Sequence, residues 1–212
     1  FKNLKLIAFE PDPGKNNFIK KHSFDIHFYP YAISRSQGLQ KLFLTKKPHC
    51  SSLKNPILGN DKRYKVEKII EVKCETIDNL NIKADALKID AQGAELDILK
   101  STIKTLSSIE VVEVEAWLSK KYHKQAEIYE INEFLKSQGF IFVGFSALYF
   151  ENSFKKLDGG VSFGDMLFIK NKLSTSNQKI IFSSLISGGF DNFILKLNSF
   201  KKLSIFSKFI VA

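Results

Sequence analysis

The stretch that most narrows the possible folds is Ala86–Leu106, ALKIDAQGAELDILKSTIKTL. Ala86–Asp90 is a short apolar run that ends on an acid, the signature of a buried strand. Gln92-Gly93 then supplies a tight turn, with Gly93 free to take positive φ. From Ala94 the rhythm changes. Leu96, Leu99, Ile103 and Leu106 fall at helical spacing, so Ala94–Leu106 is expected as an amphipathic helix. The pattern repeats downstream. Glu110–Ala116 reads as a strand. Ala126–Gln138 reads as a helix with Ile128, Ile131, Phe134 and Leu135 on one face and Gly139 as its stop signal. Phe140–Phe145 and Gly164–Lys170 close the series as strands. This alternation argues for a parallel or mixed sheet in a three-layer α/β domain.

Upstream, Leu4–Phe9 is an apolar run ending at Glu10-Pro11-Asp12-Pro13-Gly14, a buried strand followed by a turn. Asn16–His22 is a short helix candidate. Ile26–Ser34 and Gly38–Thr45 read as strands. Lys46–Arg63 is polar, carries Pro48, Pro56 and Gly59, and is expected as a mobile loop. Val66–Thr76 alternates, with Val66, Ile70, Val72 and Cys74 opposite Glu67, Glu71, Lys73 and Glu75, as a half-buried antiparallel strand does. The domain is taken as residues 1–171. Residues 172–212 are Ser-, Lys-, Phe- and Ile-rich and read as a helical extension, with Phe193–Ile210 as a basic amphipathic helix that packs on the domain or meets a membrane surface.

Composition limits the function classes. The 212 residues carry a net charge of +10, but the cations are nearly all Lys; only Arg35 and Arg63 are Arg. Nucleic-acid readers favour Arg for its bidentate and stacking contacts, and the Lys residues are scattered, as on a solvated surface. Cys50 and Cys74 lie in separate segments with no metal-ligand spacing, and read as free thiols in a reducing compartment. No stretch approaches the roughly 18 apolar residues of a membrane span, and no signal peptide is evident, which points to the cytoplasm. The four His, at positions 22, 27, 49 and 123, are dispersed, so no metal site is expected. Gly-x-Ser-x-Gly, phosphate-loop and His-Glu-x-x-His motifs are absent.

Ligands of open α/β sheets bind beyond the carboxyl ends of the strands, and three expected ends carry acids. Glu10 is placed either to accept from both hydroxyls of a ribose or to act as a turn residue before Pro11. Asp90 can orient a substrate hydroxyl, serve as general base or accept from a cofactor amine; equally, it can satisfy turn N–H groups or cap the next helix. Glu95 sits in the first helical turn, where the helix dipole favours a negative charge. Glu115 ends a strand on the same rim, and Trp117 walls a pocket or simply packs. Asp158-Gly159-Gly160 reads as a plain turn.

Together these segments resemble the FkbM family of S-adenosylmethionine-dependent methyltransferases. The text that carries the likeness is IAFEPDPGKNNFIKK, YPYAIS, VKCETIDNL, ALKIDAQGAELDILKS, VVEVEAW and INEFLKSQGF…GDMLFIKN, in that order, across residues 4–171. The resemblance implies a class I Rossmann-like methyltransferase, three-layer α/β/α with a mostly parallel sheet. It implies that Glu10 binds the ribose hydroxyls of the cofactor, that Pro11 and Asp12 shape the adenosine side, and that Tyr31, Ala32 and Ile33 lie near adenine. Asp90 and Gln92 would sit where methyl meets acceptor, with Glu95 and Trp117 as substrate contacts. The family usually has Glu where this chain has Gln92.

A first strand and a Gly-rich turn for the methionine half of the cofactor would precede Glu10 in the family. Here the chain begins at Phe1, and the domain is expected to be truncated at its N-terminus. The flanks of two buried strands would then be exposed, and this chain alone is expected to bind S-adenosylmethionine weakly or not at all. The expected reaction is O-methylation of a small-molecule or sugar hydroxyl, with Asp90, or else Glu115, as base. Two alternatives stand beside it: a non-catalytic Rossmann-like binding domain, and a basic protein that binds RNA or a membrane surface.

Overall fold

The computed structural model describes residues 4–13, 25–57, 61–150, 161–171 and 207–211. Ten strands and two α-helices are found among them. β1 (Leu4–Phe9), β2 (Asp25–Tyr29), β6 (Ala86–Ile89), β7 (Val111–Trp117), β8 (Phe140–Phe150), β9 (Val161–Lys170) and β10 (Ser207–Val211) form one sheet in the order β2-β1-β10-β6-β7-β9-β8. The pairs from β2 across to β7 run parallel, while β9 runs antiparallel to both β7 and β8. A separate sheet, β3-β5-β4, holds β3 (Ala32–Ile33), β4 (Gly38–Thr45) and β5 (Val66–Glu75).

The three-layer α/β/α expectation with a mostly parallel sheet is therefore corrected. The described residues are dominated by strands in one mixed and one small sheet, and only α1 (Glu95–Lys100) and α2 (Ile128–Ser137) are α-helical. Local chemistry accounts for part of the difference. The helix expected over Ala94–Leu106 stops at Lys100, because the Ser101 and Thr102 hydroxyls donate back to the Ile98 carbonyl at 2.8 and 2.6 Å. Ile103 is accordingly 51% exposed, while Leu96, Leu99 and Leu106 are buried. The strand expected over Ile26–Ser34 breaks at Pro30, which has no N–H to donate, and its two halves join different sheets. The helix expected at Asn16–His22 and the Asp158-Gly159-Gly160 turn lie outside the described residues.

α2 is close to its expected extent. Glu127 and Glu130 form a capping box, Ile131 and Leu135 are buried, and Gly139 follows with φ 81°. The core lies on one face of the large sheet, where Leu87, Ile89, Val112, Val114, Met166 and Phe168 meet Leu99 of α1 and Leu135 of α2.

The C-terminal expectation is also corrected in part. Residues 207–211 are a strand, not the end of a basic helix, and β10 runs parallel between β1 and β6. The flanks of β1 and β6 that the sequence left without a neighbour are thus paired. Residues 172–206 lie outside the described residues. Among the described residues no helix is long and apolar enough to cross a membrane.

Candidate active site

The carboxyl ends of the parallel strands border a cavity of about 440 Å³, a volume typical of small-molecule sites. Phe9, Glu10, Pro11 and Asp12 line it at the end of β1, with Ala32 and Ile33 of β3 beside them. Asp90, Ala91 and Gln92 follow β6, Glu115 comes from β7, and Tyr149 and Phe163 come from β8 and β9. Neighbouring strands lie roughly 4.8 Å apart, so the two steps from β1 to β6 separate the Glu10 and Asp90 ends by roughly 10 Å. Chain order also reverses around this point: β1 leads outward to β2 on one side, and β6 leads to β7 on the other. Ligands of parallel sheets favour such switch points.

The turn after β6 is tightly specified. Gln92 has φ 52° and Gly93 has φ 96°. A Cβ at Gly93 would lie 2.9 Å from Cδ2 of Tyr122, so only glycine satisfies both the conformation and the space. Ser52 Oγ donates to the Gln92 carbonyl at 2.7 Å. The Gln92 side-chain Nε2 donates to Asp90 Oδ1 at 2.7 Å and to Glu115 Oε2 at 3.1 Å. Its Oε1 accepts from the Tyr122 hydroxyl at 3.0 Å.

Glu95 does not reach the cavity. Its carboxylate is buried beneath the turn, where Oε1 accepts from the backbone N–H of Gly93 at 2.8 Å and of Ala91 at 3.2 Å. Burial raises it to about 7, against the lowering effect of those N–H donors. Trp117 does not line the cavity either. It is buried behind Glu115, donating from Nε1 to Glu115 Oε2 at 2.9 Å and stacking on Phe163 at 4.1 Å. Both residues expected as substrate contacts thus support the wall from behind. Tyr31 is likewise set back from the lining and packs against Phe9 and Tyr29.

Glu113 and Glu115 share one face of β7 but meet different partners. Lys88 Nζ lies 2.6 Å from Glu113 Oε1 and 3.6 Å from Asp165 Oδ2, and Ser146 donates to Glu113 Oε2 at 2.8 Å. Glu115 has no cation beside it among the described residues. Burial, and then the nearby Asp90 and Glu95 carboxylates, push it well above the usual carboxylate range. Both effects favour its protonated form, which offers an O–H donor.

The cavity's other side left little signal in the sequence. Residues 46–63, expected as a mobile loop, hold defined contacts wherever they are described. Pro48–Cys50 and Lys62–Tyr64 form 3₁₀ turns, and Phe43 bridges Ser52. Lys54 pairs with Asp97, and Pro56 bridges Tyr122. The fully buried Tyr122 also sets its hydroxyl 2.9 Å from the Cys50 carbonyl, so its one proton is shared between that oxygen and Gln92 Oε1. This docking brings Pro48, His49, Ser51, Ser52 and Leu53 to the cavity. A tyrosine in a polar stretch, KKYHKQ, was the one signal available for it. Cys50 and Cys74 are not in a disulfide, and both are buried.

Charge is distributed unevenly. The chain carries +10, yet among the described residues the acidic and basic side chains lining the cavity are Glu10, Asp12, Asp90, Glu115 and His49. Among the described residues no group of three or more His, Cys, Asp or Glu side chains is placed to hold a metal ion. An acid-rimmed cavity at a strand switch point suits a ligand that carries hydroxyls and positive charge.

Over residues 2–142 the chain matches the sequence model described as Methyltransferase FkbM domain. The domain is that of a methyltransferase. The chain belongs to the FkbM methyltransferase family, and the matched span contains Glu10, Asp90, Gln92 and Glu115. No curated protein and no solved structure matches it.

Proposed function

We propose that this chain transfers the methyl group of S-adenosylmethionine to a hydroxyl oxygen on a small molecule or sugar. The observation that supports this most directly is the single cavity that joins the Glu10 and Asp90 strand ends and is rimmed with acids in a basic chain. The residues present fit the adenosine half of that cofactor. A carboxylate at Glu10 can accept from two sugar hydroxyls, and Phe9, Ala32 and Ile33 offer an apolar wall for a flat base. The acidic rim fits a sulfonium cation. No glycine is among the lining residues, so the Gly-rich cradle expected for the methionine half has no counterpart in the described part of the cavity. Donor binding weaker than micromolar follows.

When bound, S-adenosylmethionine supplies an electrophilic methyl on sulfur. The protein's share is alignment and proton handling. Asp90 lies between the nucleoside end and the Tyr149–Phe163 end, where an acceptor hydroxyl would meet the methyl. It is the exposed carboxylate of the junction and takes the hydroxyl proton. Burial and the neighbouring acids favour the protonated form of Glu115, so it orients the acceptor by donating and does not serve as base. The acidic lining also argues against a nucleic-acid reading of this cavity, because phosphates would be repelled.

The test is an amide NMR titration of the 212-residue chain with S-adenosylmethionine. Weak, saturable shifts are expected around Glu10 and Asp90, and Glu10→Ala should abolish them. An unchanged titration in Glu10→Ala, or shifts confined to other parts of the chain, would overturn the assignment.

A further inference from the structure

The geometry points to Gln92 as a positioning residue: one side-chain amide fixes Asp90 and Glu115 relative to each other and ties both to the 48–57 loop through Tyr122. The functional consequence rests on the methyl-transfer reading, but the linkage itself does not.

The hydrogen bonds leave the amide one orientation. Its NH₂ faces two carboxyl oxygens, Asp90 Oδ1 at 2.7 Å and Glu115 Oε2 at 3.1 Å, which uses both N–H donors. Its oxygen faces the Tyr122 hydroxyl at 3.0 Å. Turning the amide over would set its oxygen against both acids, so the acids determine which end points where. Tyr122 is fully buried, and its hydroxyl also lies 2.9 Å from the Cys50 carbonyl, so the anchor does not swing. The backbone is fixed as well, by φ 52° at Gln92, the Ser52 bond to its carbonyl and the glycine-only turn after it.

Two consequences follow. With Oδ1 held, Asp90 presents Oδ2 to the cavity in a set direction, as a general base must. Glu115 Oε2 receives both Gln92 Nε2 and Trp117 Nε1, which leaves Oε1 to carry the proton. A glutamate at position 92 would bring no donors when ionised and would face two acids. Such a side chain can link them only while it is itself protonated. The neutral amide makes the link independent of pH.

Trp117 is the chain's only tryptophan, so its indole N–H gives a single side-chain resonance that touches Glu115 directly. The charged and titratable groups around Glu115 are Asp90 after β6, Glu95 of α1, Asp165 of β9, Tyr122 and, on neighbouring strands, the Lys88–Glu113 pair. Lys121 lies 5.7 Å above the Trp117 ring. Glu115 is the one in hydrogen-bond contact with the indole, and its ionisation dominates that resonance.

The experiment follows the Trp117 indole N–H by ¹⁵N NMR from pH 5 to 10, with no methyl donor present. The wild-type resonance is expected to titrate chiefly with an alkaline midpoint, with a smaller step near neutrality from Glu95. Gln92→Leu removes a donor to the ionised form and should raise that midpoint by about one pH unit. Gln92→Glu should raise it as well and add a further transition at lower pH, from the introduced carboxyl. Tyr122→Phe keeps the amide but frees its far end, and should give a smaller rise; it serves if either substitution at 92 fails to fold. Identical midpoints in all variants that melt cooperatively, or a wild-type resonance with no alkaline transition, would overturn the assignment. Failure of donor binding with this titration intact would instead remove the methyl-transfer reading and leave the linkage standing.

Discussion

Two strands of the large sheet end on an acid at the same rim, and they are held in opposite ways. At the end of β1, Glu10 is partly exposed, and its Oε1 accepts from the N–H of Asp12 only two residues on, at 2.9 Å. At the end of β6, the Asp90–Glu95 turn is bound by groups from distant segments: Ser52 and Tyr122 reach Gln92, and Gln92 reaches Glu115. The local text is similar, an apolar run and then an acid. One end presents a partly exposed acid to the cavity. The other is preorganised, as a site that must aim a proton acceptor has to be.

Both ends depend on β10, which pairs with five residues of β1 and three of β6. Deleting residues 207–212 should therefore erase the contrast altogether. The expected result is loss of a cooperative thermal transition by circular dichroism; a melt unchanged from the full chain would show that β10 does not join the two halves. Gly93→Ala attacks the β6 end alone. Positive φ together with the contact on Tyr122 should cost about 2–4 kcal/mol, read as a lower urea midpoint at unchanged slope.

Glu95→Gln sharpens the comparison through pH. The amide keeps an Oε1 acceptor for Ala91 and Gly93 but does not titrate. In the native protein Glu95 is raised to about 7 by burial. A raised carboxyl supports stability below its unfolded value, and that support is lost as pH climbs through the folded one. Wild type should therefore lose up to about 3 kcal/mol between pH 4.5 and pH 8 through this group. The variant should be spared that loss, so urea unfolding at pH 5 and pH 8 will separate the two proteins only at the higher pH. Glu10→Ala is the opposite case and the smallest. Its stability should stay within about 0.5 kcal/mol of wild type, while donor binding disappears. A large loss of stability would mean that the β1 tip is as locked as the β6 tip.

Much of this was legible in the residues. β4 spans Gly38–Thr45 as its composition predicts, and α2 carries its capping and stop signals in the sequence. The acids that follow β1 and β6 are readable as strand-end acids, because an apolar run must end where it meets water; Glu115, expected at a strand end, instead lies buried within β7, which continues to Trp117. The purpose of each acid was not readable. Asp90 and Glu95 lie five positions apart in one turn, yet one is exposed at the cavity and the other is buried under the backbone. Composition made Lys46–Arg63 a mobile loop. A buried tyrosine some seventy positions away in sequence, Tyr122 against Cys50, holds it to the cavity instead.

By itself the sequence determined the local punctuation: where runs of apolar residues stop, and where Gly93 and Gly139 allow a reversal. It also carried enough pattern to define the methyltransferase family. Tertiary structure alone decided that the C-terminal residues supply the strand between β1 and β6, because strand pairing is made by backbone groups that any sequence offers. It also decided that Glu115 is pushed toward its protonated form while Glu113 meets Lys88, since burial and the nearest charge, not residue type, set which form of a carboxyl is favoured.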